Sequence, residues 1–420
     1  MSHANHIGRI GALAVALGVG LVVAPGLAAA KPAPSSPTSD GPGTTAPTAP
    51  VQNMAVATNG VTRVQRGDAT ATSDGKGSVA IARGSDATAI SSGGPGSLAI
   101  ARGDGATAII NTRGCETCLT TSGNKVTASG DYATATATGG TGNTVRATGN
   151  HSTATADGSN NTVTASGGGS QATVVGSGNT VTASGGVATG YSSGSEATVN
   201  GSNNTVTTSG VSSEATVIGS DNTVQTSGNV SEANVTGFGN TVTVDDALGD
   251  VTVTGSDNDV HTYGQVDRRS EINTTTVTGD SNTVTVFGTG NTSRIYQGDS
   301  NTVTVSGYDD FAFIDGNHST AVVNGDDSTA DVVGDHSTAQ AGIDGTSTTN
   351  LAGVAGNNST ALATGSYNFI VFATGDDSSA TALGSGNAVQ ANGPDSHATV
   401  IGDSASLQTD PGETVTLINP

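Results

Sequence analysis

Four carboxylates recur at one interval in the middle of the sequence and could bind cations. They follow one another at intervals of 18 residues: Glu196, Glu214, Glu232 and Asp250. If each interval forms one coil of a stack, the four side chains lie in a row with a spacing of about 4.8 Å. Such carboxylates repel one another, so they either take up protons or attract a cation such as Ca²⁺. The alternative is a solvated acidic face that blocks lateral association.

Aromatic side chains form a second candidate site in a chain with no Trp, six Phe and six Tyr. We expect four of them on outward positions of one face: Tyr296, Phe311, Phe313 and Phe369. An apolar patch on an otherwise polar surface is typical of a contact with a protein or a glycan. The alternative is a lid, formed where an irregular coil folds over the core.

The two cysteines, Cys115 and Cys118, lie in a CETC segment within an irregular stretch. In an exported protein this spacing favours a local disulfide that staples the loop. A zinc site would need two further ligands nearby, and a thioredoxin-type site would need a βαβ context, so both are less favoured.

The motifs that resemble catalytic sites lack the context that catalysis requires. The GYSSG segment at Gly190–Gly194 matches the G-x-S-x-G pattern of serine hydrolases, but no βαβ context surrounds it. Paired carboxylates such as Asp326 and Asp327 occupy turns, and a narrow stack of coils offers no deep pocket. We therefore expect no enzyme activity and no cofactor, with Ca²⁺ at the carboxylate row as the only ion to consider.

The elements that position these residues are nine-residue repeats of the form G-x-x-[N/S]-T-[V/A]-x-[V/A]-x. Gly at position 1 suits a turn with positive φ, and Asn or Ser at position 4 can hydrogen-bond to the backbone. Positions 6 and 8 are apolar and alternate with polar positions 5, 7 and 9, which predicts one short strand per repeat. Two repeats form one coil. The sequence therefore predicts an all-β, elongated parallel β-solenoid (a β-roll) of 18-residue coils.

Threonine pairs in a T-x-T pattern recur on the outward positions of the first repeat of many coils. A flat lattice of such pairs is typical of solenoid proteins that bind ice, although Thr is also a good residue for an exposed strand. The pairs are Thr162/Thr164, Thr180/Thr182, Thr205/Thr207, Thr241/Thr243, Thr283/Thr285 and Thr302/Thr304. Arg146, Gln225 and His261 interrupt the lattice.

The N-terminal sequence predicts export. Residues 1–30 contain a mildly basic start, an apolar stretch and a small-residue cleavage site, so they are expected to be a signal peptide. Residues 31–54 are expected to be a disordered linker rich in Pro, Ser and Thr. We expect N-terminal solenoid coils and the cysteine loop over 55–122, the main solenoid over 123–410, and a C-terminal cap or tail over 411–420. No membrane span is expected after removal of the signal peptide.

Charge restricts the partners. The formal net charge is −22, which argues against a nucleic-acid ligand because phosphates require basic patches. It favours solubility and cationic partners. The partner is expected to be a ligand of the cell envelope, a glycan or a protein surface.

Three features of the sequence resemble known families of repeat proteins. GSVAIARGSDATAI and GSLAIARGDGATAI, within residues 61–109, resemble the β-roll head of trimeric autotransporter adhesins. The 18-residue period resembles the calcium-binding nonapeptide β-roll of the repeats-in-toxin family in its period only, because Val181 and Ala321 stand where that family has Asp. The leader and the GSGNTVT repeats also resemble secreted, uncharacterised repeat proteins of actinobacteria.

Together these features lead to one expectation and two alternatives. We expect a protein that is secreted or held at the cell surface, with a structural or adhesive function and no enzyme activity. The first alternative is a structural solenoid that responds to calcium or another cation, and the second is an ice-binding protein.

Overall fold

The computed structural model describes residues 52–92, 94–111, 123–185, 194–228, 230–245, 249–264, 272–342 and 349–419. The chain divides into two compact units, residues 1–49 and 50–420, and the described residues belong to the second. The proposed signal peptide, most of the linker, Cys115 and Cys118 lie outside the described residues. Two stretches where the repeat spacing exceeds 18 residues, near 185–191 and 265–273, also lie largely outside them.

The described residues form strands joined by turns. In chain order the strands are β1 (Met54–Thr58), β2 (Val61–Arg66), β3 (Thr70–Ser73), β4 (Val79–Arg83), β5 (Thr88–Ser92), β6 (Leu98–Arg102), β7 (Thr107–Asn111), β8 (Lys125–Ser129), β9 (Thr134–Thr138), β10 (Thr144–Thr148), β11 (Thr153–Ser159), β12 (Thr162–Ser166), β13 (Gln171–Ser177), β14 (Thr180–Ser184), β15 (Glu196–Ser202), β16 (Thr205–Ser209), β17 (Glu214–Ser220), β18 (Thr223–Thr226), β19 (Asn234–Phe238), β20 (Thr241–Asp245), β21 (Gly249–Thr254), β22 (Asp259–Tyr263), β23 (Asn273–Thr278), β24 (Thr283–Thr289), β25 (Thr292–Gln297), β26 (Thr302–Tyr308), β27 (Phe311–Asp315), β28 (Thr320–Asp326), β29 (Thr329–Val333), β30 (Thr338–Ala341), β31 (Leu351–Ala355), β32 (Thr360–Thr364), β33 (Ile370–Thr374), β34 (Ser379–Leu383), β35 (Ala388–Asn392), β36 (His397–Ile401), β37 (Ser406–Thr409) and β38 (Thr414–Ile418).

The strands alternate between two sheets, and this confirms the predicted β-solenoid. Sheet A contains β1, β2 and the even-numbered strands to β38, and sheet B contains the odd-numbered strands from β3 to β37. From β3 onward, each strand pairs in parallel with the strand two further along the chain. Thr162, for example, lies beside Thr180. Coils of about 18 residues stack in this way for about 17 turns.

The core consists of small apolar side chains at the predicted inward positions. Ala and Val at positions 6 and 8 are buried throughout, as Ala321 and Val323 show. The largest fully buried side chains are Ile110, Ile295 and Ile314. Each coil therefore buries little apolar surface, and the solenoid gains its stability by repeating the same fit along the stack.

Position 4 contributes more than a local turn bond, because its side chains are buried and form a ladder between coils. The Asn222 backbone N–H donates to Oδ1 of Asn204 in the preceding coil at 3.0 Å. Its Nδ2 donates to the Gly237 carbonyl oxygen in the following coil at 2.9 Å. The same pattern continues through Asn240 and Asn258, so buried backbone groups of the turns find partners in neighbouring coils.

The glycine at position 1 is required by the stacking as well as by its backbone angle. Gly219 has a φ of 129°, and a Cβ atom there would lie 1.7 Å from the carbonyl oxygen of Gly237. The neighbouring turns approach too closely for any side chain. The residue at position 3 also adopts positive φ, as at Asp221 and His318, which the repeat consensus did not predict.

The first strands depart from the parallel pattern. β1 pairs antiparallel with both β2 and β4, so β1 and β2 form a hairpin at the start of sheet A. The VTRVQR segment, which begins the stretch that resembles the adhesin head, forms the second strand of this hairpin. At the other end, β38 pairs in parallel with β36, and the Ile418 side chain is 68% exposed.

Candidate functional site

The carboxylate row lies on sheet B, with one acidic side chain in each of four consecutive coils. Glu196 and Glu214 are neighbours in the register of β15 and β17. Backbone hydrogen bonds from Glu214 to Ser231 and from Glu232 to Gly249, each 2.9 Å long, extend the row to Glu232 and Asp250. The structure therefore places all four residues in the order that the 18-residue spacing predicts.

Burial and mutual repulsion perturb the protonation of this row. Burial raises the pKa of Glu214 above its usual value, and the neighbouring carboxylates of Glu232 and Glu196 raise it further. Burial also raises the pKa of Asp250, with a contribution from Glu232. Glu232 accepts a hydrogen bond of 2.7 Å from Nδ2 of Asn234. Among the described residues, no group of three or more His, Cys, Asp or Glu side chains has the geometry to hold a metal ion.

The four aromatic residues also lie on or beside sheet B, but they do not form one cluster. The Phe311 and Phe313 rings are nearly parallel, with centroids 6.5 Å apart. Tyr296 is 50% exposed, and the Arg294 guanidinium lies 5.2 Å from its ring centroid. Phe369 is 57% exposed and lies three coils beyond Phe311, after the coils that contain Thr329 and Leu351.

The register adds apolar side chains that the sequence pattern did not reveal. Phe311 aligns with Thr329, which aligns with Leu351, and the following coil contributes Ile370 and Phe372. We use the term apolar patch for six residues: Phe311, Phe313, Leu351, Phe369, Ile370 and Phe372. The repeat at residues 365–374 is one residue longer than nine. The nine-residue pattern therefore pointed to Phe369, whereas Ile370 is the residue that follows Leu351 in the row.

The carboxylate row and the apolar patch occupy the same line of outward positions on sheet B. Asp250 is followed by Thr274, then by Thr292 and then by Phe311. Two threonine coils therefore separate an acidic surface from an apolar one on a continuous sheet.

Sheet A carries a second group of aromatic side chains that the repeat pattern did not single out. His261 and Tyr263 stack with ring centroids 6.0 Å apart, and Tyr263 stacks on Phe287 at 5.3 Å. His261 Nε2 lies 3.0 Å from Oδ1 of Asp259. This group interrupts the threonine lattice, whose longest uninterrupted run is the three coils of Thr162/Thr164, Thr180/Thr182 and Thr205/Thr207.

Asp310 is a buried carboxyl group in a ladder of amides and hydroxyls. It takes position 4, where its N–H donates to Oδ1 of Asn291 at 3.0 Å and its Oδ1 accepts from the Ser328 N–H at 2.8 Å. Its Oδ2 is buried and has no hydrogen-bond partner in the described part of the chain. The equivalent atom of Asn291 is Nδ2, which donates to the Gly307 carbonyl oxygen. Burial raises the pKa of Asp310 to about 8, with the bond from Ser328 opposing the shift.

Comparison with known proteins gives a match over a short segment of the chain. A family model described as a protein of unknown function, DUF3060, matches residues 217–268. No curated protein and no solved structure matches the chain. The matched segment contains two members of the carboxylate row, Glu232 and Asp250, and the sheet A group at Asp259 and His261. No helix that could cross a membrane occurs in the described part of the chain.

Proposed function

We propose that this protein is an exported, non-enzymatic solenoid that contacts a surface ligand through the apolar patch on sheet B. The observation that supports this function is the exposure of several large apolar side chains on one face. Phe311 is 37% exposed, Phe369 57% and Ile370 37%, and the register places all three on or beside one line of sheet B. Solvent exposure of such a group has a free-energy cost that a bound partner removes.

Binding to isolated cell envelopes of the source organism tests this proposal. The protein and a variant with Phe311→Ser, Phe313→Ser and Phe369→Ser are compared in a sedimentation assay. These residues point outward, so the variant should fold normally and lose at least about tenfold in affinity. A matched control with Tyr132→Ser and Phe238→Ser removes exposed aromatics outside the patch and should bind as the unmodified protein does. Equal binding by the unmodified protein and the patch variant would remove the patch as the contact.

A second candidate function is a response to divalent cations at the carboxylate row. The raised pKa of Glu214 supports it, because a row that is costly to ionise gains from a cation that neutralises it. Calcium titration by isothermal calorimetry at pH 7.5 compares the protein with a Glu214→Gln, Glu232→Gln variant. Weak binding that disappears in the variant is expected, and an unchanged heat signal would exclude the row. Asp395→Asn, an exposed turn substitution, is the control for loss of charge.

A further inference from the structure

A carboxylate with no cationic partner among the described residues lies inside the apolar patch. Asp331 is at the centre of β29, and in the register it lies between Phe313 of β27 and Gly353 of β31. Its Oδ1 is buried and has no hydrogen-bond partner within the described ranges. Desolvation by burial raises the pKa of Asp331. A partly buried carboxylate without a neighbouring cation has an electrostatic free-energy cost that a bound cation relieves.

An aromatic ring fills the space beside Gly353, the residue that follows Asp331 in the row. Gly353 has no side chain, and a Cβ atom there would lie 2.2 Å from Cε1 of Phe372, which is the next residue in the row. The Phe372 ring therefore extends over Gly353 toward Asp331. The carboxylate is thus flanked by Phe313 and by the Phe372 ring.

The cation nearest in this row is engaged elsewhere. Arg294 precedes Phe313 in the register, so Phe313 separates it from Asp331. The Arg294 guanidinium lies over the Tyr296 ring instead. No cation in the described part of the chain therefore pairs with Asp331, and the net charge of −22 favours the approach of a cationic ligand.

We propose that Asp331, Phe313 and Phe372 bind a trimethylammonium group, such as that of choline. The carboxylate supplies the opposite charge, and the two phenyl rings supply cation–π attraction. A primary ammonium has three N–H donors, and the carboxylate of Asp331 among aromatic rings does not offer an acceptor to each of them. The methyl groups of a quaternary ammonium require no acceptor. This inference rests on the proposed function and names the ligand chemistry of the same patch.

Titration of the full chain with three small molecules tests the proposal. Choline is compared with 3,3-dimethylbutan-1-ol, its neutral isostere, and with ethanolamine, its primary-ammonium analogue, by chemical-shift titration. We expect choline to bind about tenfold or more tightly than either. Asp331→Asn should weaken choline binding about tenfold while leaving the neutral isostere unaffected. Asp315→Asn removes one charge beside the patch and should leave choline affinity within about twofold of the unmodified protein.

Several results would overturn the inference. Equal affinity for choline and its neutral isostere would show that the site does not recognise the charge. Binding of ethanolamine as tightly as choline would show that the site does not recognise the methyl groups. Full retention of choline binding by Asp331→Asn would exclude this carboxylate. Phe372→Leu keeps the apolar cover without the aromatic ring, so retained choline affinity in this variant would exclude the cation–π contact. If choline fails to bind but the triple Phe variant still loses envelope binding, this inference falls and the proposed function stands.

Discussion

Among single residues, Asp310 has the most unusual environment, because a carboxyl group replaces an amide in a buried ladder. The amide side chains of the ladder each have a donor for the next turn, whereas an ionised carboxylate has none. A protonated carboxyl group restores that donor. The folded protein therefore favours the neutral form of Asp310, in agreement with its pKa of about 8.

This environment predicts a stability that decreases as the pH rises. In the unfolded chain the group ionises near its ordinary value of 3.8, and in the folded chain near 8, so the folded state binds more protons between these values. The contribution of Asp310 is complete below about pH 4 and is lost by about pH 8, with a slope of up to about 1.4 kcal/mol per pH unit. Thermal unfolding at pH 5, 7 and 9 should show this decrease.

The variant Asp310→Asn separates this effect from the general repulsion of an acidic chain. An amide supplies the donor at every pH, so the variant should be more stable than the unmodified protein at pH 8 and lose the associated slope. Asp395→Asn removes the same charge from an exposed turn and should leave the slope in place. The same pH dependence in all three proteins would contradict the assignment.

The sequence did not reveal Asp310 or Asp331. Asp310 takes position 4 of its repeat, but the repeat pattern did not show that this position is buried and hydrogen-bonded between coils. Asp331 follows Ala330 in a typical repeat, and its aromatic neighbours come from other coils. Both environments depend on contacts between residues about 18 or more apart, which the pattern of one repeat does not contain.

At the scale of the strand and turn, the ladder makes position 4 important to stability. Asn222→Ala would leave the Gly237 carbonyl and the Asn240 N–H without their partners, at a cost of about 1–3 kcal/mol for each group. Asn222→Ser should lower the free energy of unfolding by less, because a serine at position 4 can make equivalent bonds. Ser319 shows this: its Oγ donates to the Gly334 carbonyl oxygen and accepts from the Ser337 N–H. Denaturant unfolding of the two variants measures the difference, and equal losses would argue against the ladder.

The turn glycines predict a larger effect. Gly219→Ala combines an unfavourable φ with a collision against the backbone of the next coil, so the turn must move and the free energy of unfolding should fall by about 3 kcal/mol or more. Gly168→Ala is the matched control, since its φ is not positive and its nearest atom is 4.0 Å from the added Cβ. Calorimetric unfolding should show a loss for the first variant and almost none for the second.

The sequence predicted these elements well because their pattern is local. The alternation at positions 5 to 9 defined the strands, and the Gly at position 1 defined the turns. The hairpin of β1 and β2 was missed because the strand-forming residues of VTRVQR do not distinguish antiparallel from parallel pairing.

At the scale of the whole solenoid, the apolar core and the ladders require no cation. We therefore expect a β-type far-UV circular dichroism spectrum in EDTA that calcium leaves unchanged. The measurement uses the chain with and without Glu214→Gln and Glu232→Gln. A disordered spectrum that becomes β-type only in calcium would show that the carboxylates are structural ligands, and the second candidate function would then be preferred to the first.

The nine-residue half-coil has a geometric consequence for where surfaces point. Each half-coil turns the chain from one sheet to the other, so two outward side chains share a face only when an even number of half-coils separates them. The carboxylate row and Phe311 satisfy this condition. Removing 18 residues between them would shorten their separation and keep them on one side, whereas removing nine would send them to opposite sides. Whether the number of half-coils between them is even or odd thus determines whether one partner can contact both the carboxylate row and Phe311.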